Sequence, residues 1–355
     1  MKIPDPRLAS ALLTMLECDD CSKDHELCQM ALEEFTARLA QGAEVNGYYQ
    51  GSTLLAHATD RGRADLVSQL LEQGAKVNDR AHERGSFGLH RRTAAYSTTD
   101  PETARVLAKA GARLEDFSPD LLPAALGIAL GHETVKVDLL NKALAGAVRG
   151  KGNPQRFSNS FYDRQIRTFH TAAGGLINHT DAMKEDWQNC APSFSFDRVG
   201  RTMTVLEDGR VVFVGGVHED SYDPDFFIYN DVCVIHPDAR IDYFLYPATA
   251  FPPTCYHTAT LVGRSLWLIG NLGYQDQRAA GKVQVLRLDL RSFAISQVPT
   301  TGNSPGCISS HSARMEDGKI IISGGTVRPV QPERADLSYQ LNLKTGVWSV
   351  IEAGG

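Results

Sequence analysis

Residues Gly200–Gly216 read GRTMTVLEDGRVVFVGG, and the same plan returns twice, as YHTATLVGRSLWLIGN from Tyr256 to Asn271 and as SHSARMEDGKIIISGG from Ser310 to Gly325. The closing pairs are Gly215-Gly216, Gly270-Asn271 and Gly324-Gly325, spaced by 55 residues (215 to 270) and by 54 (270 to 324). A fixed period of this length marks a repeated supersecondary unit. Each copy predicts a strand, a turn at EDGR, VGRS or EDGK, and a second strand ending in the pair. Gly209, Gly263 and Gly318 supply the positive φ that hairpin turns need. VVFVGG, LWLIGN and IIISGG are near-continuous apolar runs, as expected of strands covered on both faces. Two further strands follow in each unit: YNDVCVIHP and IDYFLYP, then KVQVLRLDL and FAISQVP, then LSYQLNL and VWSVIEA.

These residues resemble the kelch repeat. The Gly pair corresponds to its diglycine, Tyr229-Asn230-Asp231-Val232 to its third strand, and Trp348 to its late aromatic, with Tyr243 and Phe293 in weaker correspondence. His257 and His311 fall where the family often carries His-Ser, and their recurrence predicts a structural hydrogen bond within the blade. Asn271 departs from the diglycine, and Thr202 stands where the first unit should have His. The resemblance implies all-β kelch-like blades over 197–355, about three of them. Three blades are too few to close a ring without exposed faces. The expectation is therefore an incomplete propeller, either an open stack capped by residues 153–196 or a homodimer through open β-blade faces.

The first half has a different period. AQGAEVNG (Ala40–Gly47), EQGAKVND (Glu72–Asp79) and KAGARLED (Lys109–Asp116) repeat a Gly-Ala pair at Gly42, Gly74 and Gly111. Between the first two, Thr53 precedes LLAHAT as a helix cap. Gly62 then makes a turn, and ADLVSQLLEQ places Leu66, Val67, Leu70 and Leu71 on one face before Gly74 stops it. This unit resembles the ankyrin repeat, with Thr53, Leu55 and Ala58 at the helix-start motif, and LPAALGIALGHETVKVDLL (Leu122–Leu140) reads as a further copy. The resemblance implies an N-terminal α-helical ankyrin solenoid over 28–145, with 1–27 as its capping helix region and 146–196 as a linker or capping segment. GAVRGKG (Gly146–Gly152) reads as the interdomain link. The fold class expected is thus multidomain α + β, and the whole chain resembles bacterial ankyrin–kelch fusions.

Composition narrows the function. The 355 residues carry 36 Lys plus Arg against 42 Asp plus Glu, a formal net charge of −6. A nucleic-acid binder normally presents a basic face, and this balance argues against nucleic acid and against an anionic membrane surface. No run of about 18 apolar residues suggests a membrane span, and the start, MKIPDPRLAS, lacks the apolar core of a secretory signal. Seven scattered cysteines argue against a disulfide framework and for a reducing cytoplasm.

Three clusters are candidates for chemistry. Glu219, Asp220, Asp223, Asp225 and Asp231 crowd one loop beside Phe226, without the spacing of an EF-hand. The plain reading is a solvated loop joining two blade strands and stiffened by Pro224; the competing readings are a metal site and a partner-contacting loop through Asp220, Asp223, Asp225 and Phe226, since long loops on a rigid scaffold carry binding and aromatics anchor interfaces. Cys18, Cys21, His25 and Cys28 form C-x2-C-x3-H-x2-C, a cramped arrangement for tetrahedral zinc; the competing reading is a helix end with half-buried thiols. Arg84, Arg91 and Arg92 belong to a long basic loop suited to an acidic partner surface. No nucleophile elbow, P-loop, dinucleotide fingerprint or His-Glu-x-x-His helix is present. The expected function is a non-enzymatic adaptor that binds partner proteins through its finger loops or its blade loops, with no cofactor. The alternatives are an enzyme acting on a small molecule or carbohydrate in a propeller-end pocket, and a zinc-stabilised interaction module.

Overall fold

A computed structural model of the chain describes residues 3–17, 25–80, 92–129, 146–169, 192–219, 226–278, 281–328, 333–334 and 337–351. The chain divides into two compact units, residues 1–129 and 130–355. No described helix is long and apolar enough to cross a membrane.

In the first unit, helix Pro6–Glu17 is capped by Asp5, whose carboxylate accepts from the Arg7 and Leu8 amides at 2.9 Å. It buries Leu8, Leu12 and Leu16, and helix His25–Ala40 buries Phe35. Thr53 accepts from the Ala56 amide at 3.1 Å and starts helix Leu54–Asp60. Gly62, at φ 63°, turns the chain into helix Ala64–Glu72, and Gly74, at φ 85°, ends it. Two asparagines clip successive units together. Asn46 donates to the Gly74 carbonyl at 3.0 Å and accepts from the Lys76 amide at 2.9 Å. Asn78 does the same to Gly111 and Arg113, at 3.0 and 3.1 Å.

These local devices do not extend into the helical solenoid that the ankyrin resemblance implies. The helix facing the third unit is only four residues long, Ala94–Ser97. Thr98 leaves that helix in extended conformation, and Asp100, held extended by Pro101, caps helix Pro101–Lys109 by accepting from the Thr103 amide at 2.7 Å. At the fourth copy, Pro119 opens a 3₁₀ turn (Pro119–Leu121) and Pro123 stands in the first turn of another four-residue helix (Leu122–Ala125); the copy's residues from 130 on lie outside the described residues. Among the described residues there are eight α-helices, and a regular two-helix repeat is formed once, at 54–72. The boundary expected at 27/28 falls inside helix His25–Ala40.

The second unit is built of antiparallel sheets. The first sheet contains Thr202–Val205, Val211–Val214, Asp231–Ile235 and Ile241–Leu245, with Gln155–Phe157 added beside the last. The second contains Thr258–Val262, Ser265–Ile269, Val285–Asp289 and Ile295–Gln297. The third contains Ser312–Glu316, Lys319–Ser323, Ser338–Asn342 and Val347–Ile351, with Thr301–Gly302 parallel to the last. In each sheet the four repeat strands lie in sequence order.

The apolar runs are continuous because the sheets stack. Val212, Val234 and Phe244 of the first sheet meet Leu266, Leu268 and Leu286 of the second. The alternate residues Trp267, Ile269 and Val285 meet Ile320, Ile322, Leu341 and Trp348 of the third. The free side of the first sheet is covered by helix Ser160–Thr168 and by Phe194 and Phe196. Tyr162 of that helix lies edge-on to Tyr243, and Phe169 edge-on to Phe213. The free side of the third sheet is mostly polar: Ser312 bonds Ser323 at 3.0 Å, Lys319 donates to Gln340 at 3.3 Å, and Gln340 donates to Ser349 at 3.0 Å. No closed propeller forms among the described residues; the stack runs from a helical cap to a polar face.

Backbone contact between sheets explains the Gly pairs. The Gly216 amide donates to Thr254 O and the Asn271 amide to Ile308 O, both at 2.9 Å. A Cβ on Gly215 would strike the Thr254 carbonyl, and one on Gly270 would lie 2.5 Å from Ile308 O and 2.6 Å from His311 Cε1. At Gly324, where no further sheet follows, a Cβ would meet nothing within 4 Å. Asn271 replaces a glycine and uses its side chain, accepting from the Cys255 amide at 3.0 Å and donating to Pro253 O at 2.8 Å.

The two histidines act between sheets, not within one. His257 Nε2 is hydrogen-bonded to Thr202 Oγ1 at 3.1 Å, and His311 Nε2 to Thr258 Oγ1 at 2.9 Å. Burial pushes His257 down to about 3, with His311 adding repulsion, and pushes His311 down to about 4. Their Nδ1 atoms are buried without a partner.

Two outcomes follow for stability. Gly324→Ala loses about 1–2 kcal/mol from its left-handed backbone alone. Gly270→Ala loses more, about 2–5 kcal/mol, because a carbonyl also blocks the new methyl; urea denaturation of the full chain ranks the two. The folded chain keeps both histidines neutral, whereas the unfolded chain protonates them near 6.5. Stability is therefore fully present above pH 6.5 and falls as pH drops toward 4, by about 1.4 kcal/mol per pH unit per histidine. Melting temperatures against pH, with His257→Gln flattening the slope, measure this.

Candidate functional site

The loops that follow the Gly pairs gather at one end of the sheets. After Gly216 the chain forms a short hairpin, Val217 opposite Ile228 and His218 opposite Phe227. Val217, Ile228 and Cys255 are buried together, and Leu272 and Tyr274 from the second sheet's loop pack on them. Two loops from different sheets thus share one small core.

Phe226 sits on that core with 44% of its surface exposed. Its ring lies edge-on to Tyr274, centroids 5.7 Å apart. Tyr274 is fixed in turn, because its hydroxyl accepts from the Ile228 amide at 3.0 Å. Arg149 completes the group. Its guanidinium lies over the Phe227 ring at 4.4 Å and donates to Ile228 O at 3.1 Å, to Tyr274 Oη at 3.5 Å and to the Asn230 side-chain oxygen. Asn230 is 2% exposed and donates to Tyr246 O and Phe251 O at 2.8 and 2.9 Å. The exposed aromatic surface therefore rests on an internally satisfied polar frame.

Beneath it lies a buried ion pair. Arg198 Nη1 and Asp231 Oδ1 are 2.8 Å apart, with side chains 2% and 5% exposed. Tyr243 donates its hydroxyl to the other Asp231 oxygen. Arg198 also stacks on the Tyr229 ring at 3.2 Å and donates to Ser195 O at 2.6 Å and Gly215 O at 3.2 Å. Burial alone would lower the Arg198 pKa; Asp231, Tyr243 and Tyr229 outweigh it and raise it. Burial, with Asp231 adding to it, drives the Tyr243 hydroxyl upward. The neighbouring Arg201 lies 5.0 Å from the Phe196 and Phe213 centroids and 4.8 Å from that of Phe169. Burial pushes Arg201 down to about 10, and Arg198 pushes in the same direction.

Several residues expected to act together are separated. Asp231, grouped with the acidic loop, is instead inside the sheet and paired with Arg198. Asp220, Asp223 and Asp225 lie outside the described residues, as do Arg84, Arg91, Cys18 and Cys21. Arg92 lies 3.9 Å over the ring of Tyr96. His25 opens its helix, and its side chain is outside the description. Cys28 lies in helix His25–Ala40, and Cys18 and Cys21, which would complete its set, are not among the described residues. Among the described residues, no three His, Cys, Asp or Glu side chains cluster to hold a metal.

Arg149 and Tyr274 were not legible as site residues. GAVRGKG, read as an interdomain link, is part of the second unit: the Gly150 amide donates to Tyr246 O at 3.0 Å, and a Cβ there would lie 2.5 Å from the Leu245 carbonyl carbon. The glycine enrichment around Arg149 was the available signal, since close backbone approach requires glycine. Against known proteins, the chain matches no family model and no curated protein.

Breaking the buried pair by Arg198→Ala or Asp231→Ala leaves an uncompensated charge and lowers stability by about 3–5 kcal/mol. Arg198→Met with Asp231→Leu costs less than either single change, as chemical denaturation of the three variants reads directly.

Proposed function

We propose that this chain is a non-enzymatic binding protein that docks a partner protein on the surface formed by Phe226, Tyr274 and Arg149. The observation that carries this reading is the exposed Phe226 ring, seated on Tyr274 beside an arginine whose frame is already ordered. Aromatic and arginine side chains dominate binding energy at protein interfaces. A partner that covers them meets side chains whose ordering entropy has largely been spent in folding. The long loop between the Gly pair and Phe226 adjoins this surface in sequence, and long loops on a rigid scaffold are where binding is usually carried.

Phe226→Ala tests the assignment, because the ring is half exposed and its loss spares the sheet core. The intact chain and its variant are used as baits in native extract, with mass spectrometry as readout. A protein retained in stoichiometric amount by the parent chain weakens by about 2 kcal/mol with the variant, roughly thirtyfold, and the melting temperature stays within a few degrees. Equal retention by both baits, or recovery of bait alone, overturns the assignment.

A further inference from the structure

A second concavity at the Gly-pair end is chemically distinct from the aromatic surface. It has a volume of about 350 Å³, and Pro252, Leu272 and Cys307 are among the residues that line it. That size is at the lower end for small-molecule sites. Val283 and Val298 give it an apolar wall, and Arg278 and Lys282 are the charged side chains that line it. Among the described residues that line it there is no carboxylate.

Arg278, Gln284 and Asn271 are held in place before any ligand arrives. Arg278 Nε donates to Leu272 O at 2.7 Å and its Nη2 to Gly273 O at 3.1 Å. Gln284, also in the lining, donates to Thr254 Oγ1 at 2.9 Å, and Asn271 donates to Gln284 Oε1 at 3.4 Å. Carbonyl dipoles orient the guanidinium without cancelling its charge. Burial pushes the Cys255 and Cys307 thiols up, so neither contributes a competing anion at neutral pH. Two cations and an apolar wall in one lining match a ligand with a negative head and an apolar body.

We propose that this cavity binds a compact organic acid, with its carboxylate between Arg278 and Lys282 and its apolar part against Val283 and Val298. The apolar wall distinguishes such a ligand from a bare inorganic anion, and the two cations distinguish it from a neutral one. This site does not depend on the protein-docking surface.

Titration calorimetry of the full chain tests it with benzoate, with neutral benzamide as the isosteric control and with inorganic phosphate as a head without a body. Saturable one-to-one binding of benzoate is expected, with phosphate at least several-fold weaker and benzamide undetected. Lys282 is exposed, so Lys282→Glu keeps the fold, as circular dichroism checks, and weakens benzoate roughly tenfold. Absence of benzoate binding, equal binding of benzamide, phosphate as tight as benzoate, or an unchanged affinity in Lys282→Glu would each overturn the proposal.

Discussion

The second unit depends on the close approach of backbone to backbone where one sheet ends and the next begins. Thr254 O and Ile308 O accept hydrogen bonds from the preceding sheet's Gly pair. The space they occupy is that of a missing Cβ. These contacts set the spacing between sheets, and the apolar faces then fill it. The histidine–threonine pairs make a second connection beside them, at Thr202–His257 and Thr258–His311. Each buries an imidazole that must stay neutral, so the arrangement trades acid tolerance for a fixed docking angle.

A stack held this way has two ends, and they are finished differently. The first sheet keeps its second apolar face and is covered by Tyr162, Phe194 and Phe196. Between that cover and the sheet lies the Arg198–Asp231 pair, which is costly to desolvate and is hydrogen-bonded further by Tyr243, Ser195 and Gly215. The third sheet ends in serines, Gln340 and Lys319, whose hydrogen bonds run along the surface. A polar outer face is the usual requirement for a terminal repeat. At the Gly-pair end, Phe226 is exposed while its ring packs edge-on against Tyr274, whose hydroxyl is bonded to the Ile228 amide.

The helical unit shows how far local signals carry. Thr53, Gly62 and Gly74 act where their chemistry places them, and Asn46 and Asn78 tie neighbouring units through equivalent carbonyls. A solenoid also needs each repeat to form two full helices, and among the described residues the first helix of the third copy is only four residues long, while Pro101, Pro119 and Pro123 each stand in the first turn of the element they open. A resemblance in repeat spacing records the turns and caps; it does not guarantee the helices between them.

What the sequence by itself determined is the local grammar: strand positions, hairpin turns at Gly209, Gly263 and Gly318, and the double-sided burial of VVFV, LWLI and IIIS. Those follow from side-chain period and from backbone conformations that only some residues adopt. The tertiary structure decided the partners. It withdrew Asp231 from an acidic loop into a buried ion pair, and it brought Arg149 to Tyr274 across 125 residues. It also turned two recurrent histidines from within-sheet bonds to clips between sheets. Charge pairing and ring stacking act over a few ångströms in space, and separation along the chain carries no information about which distant residues will meet.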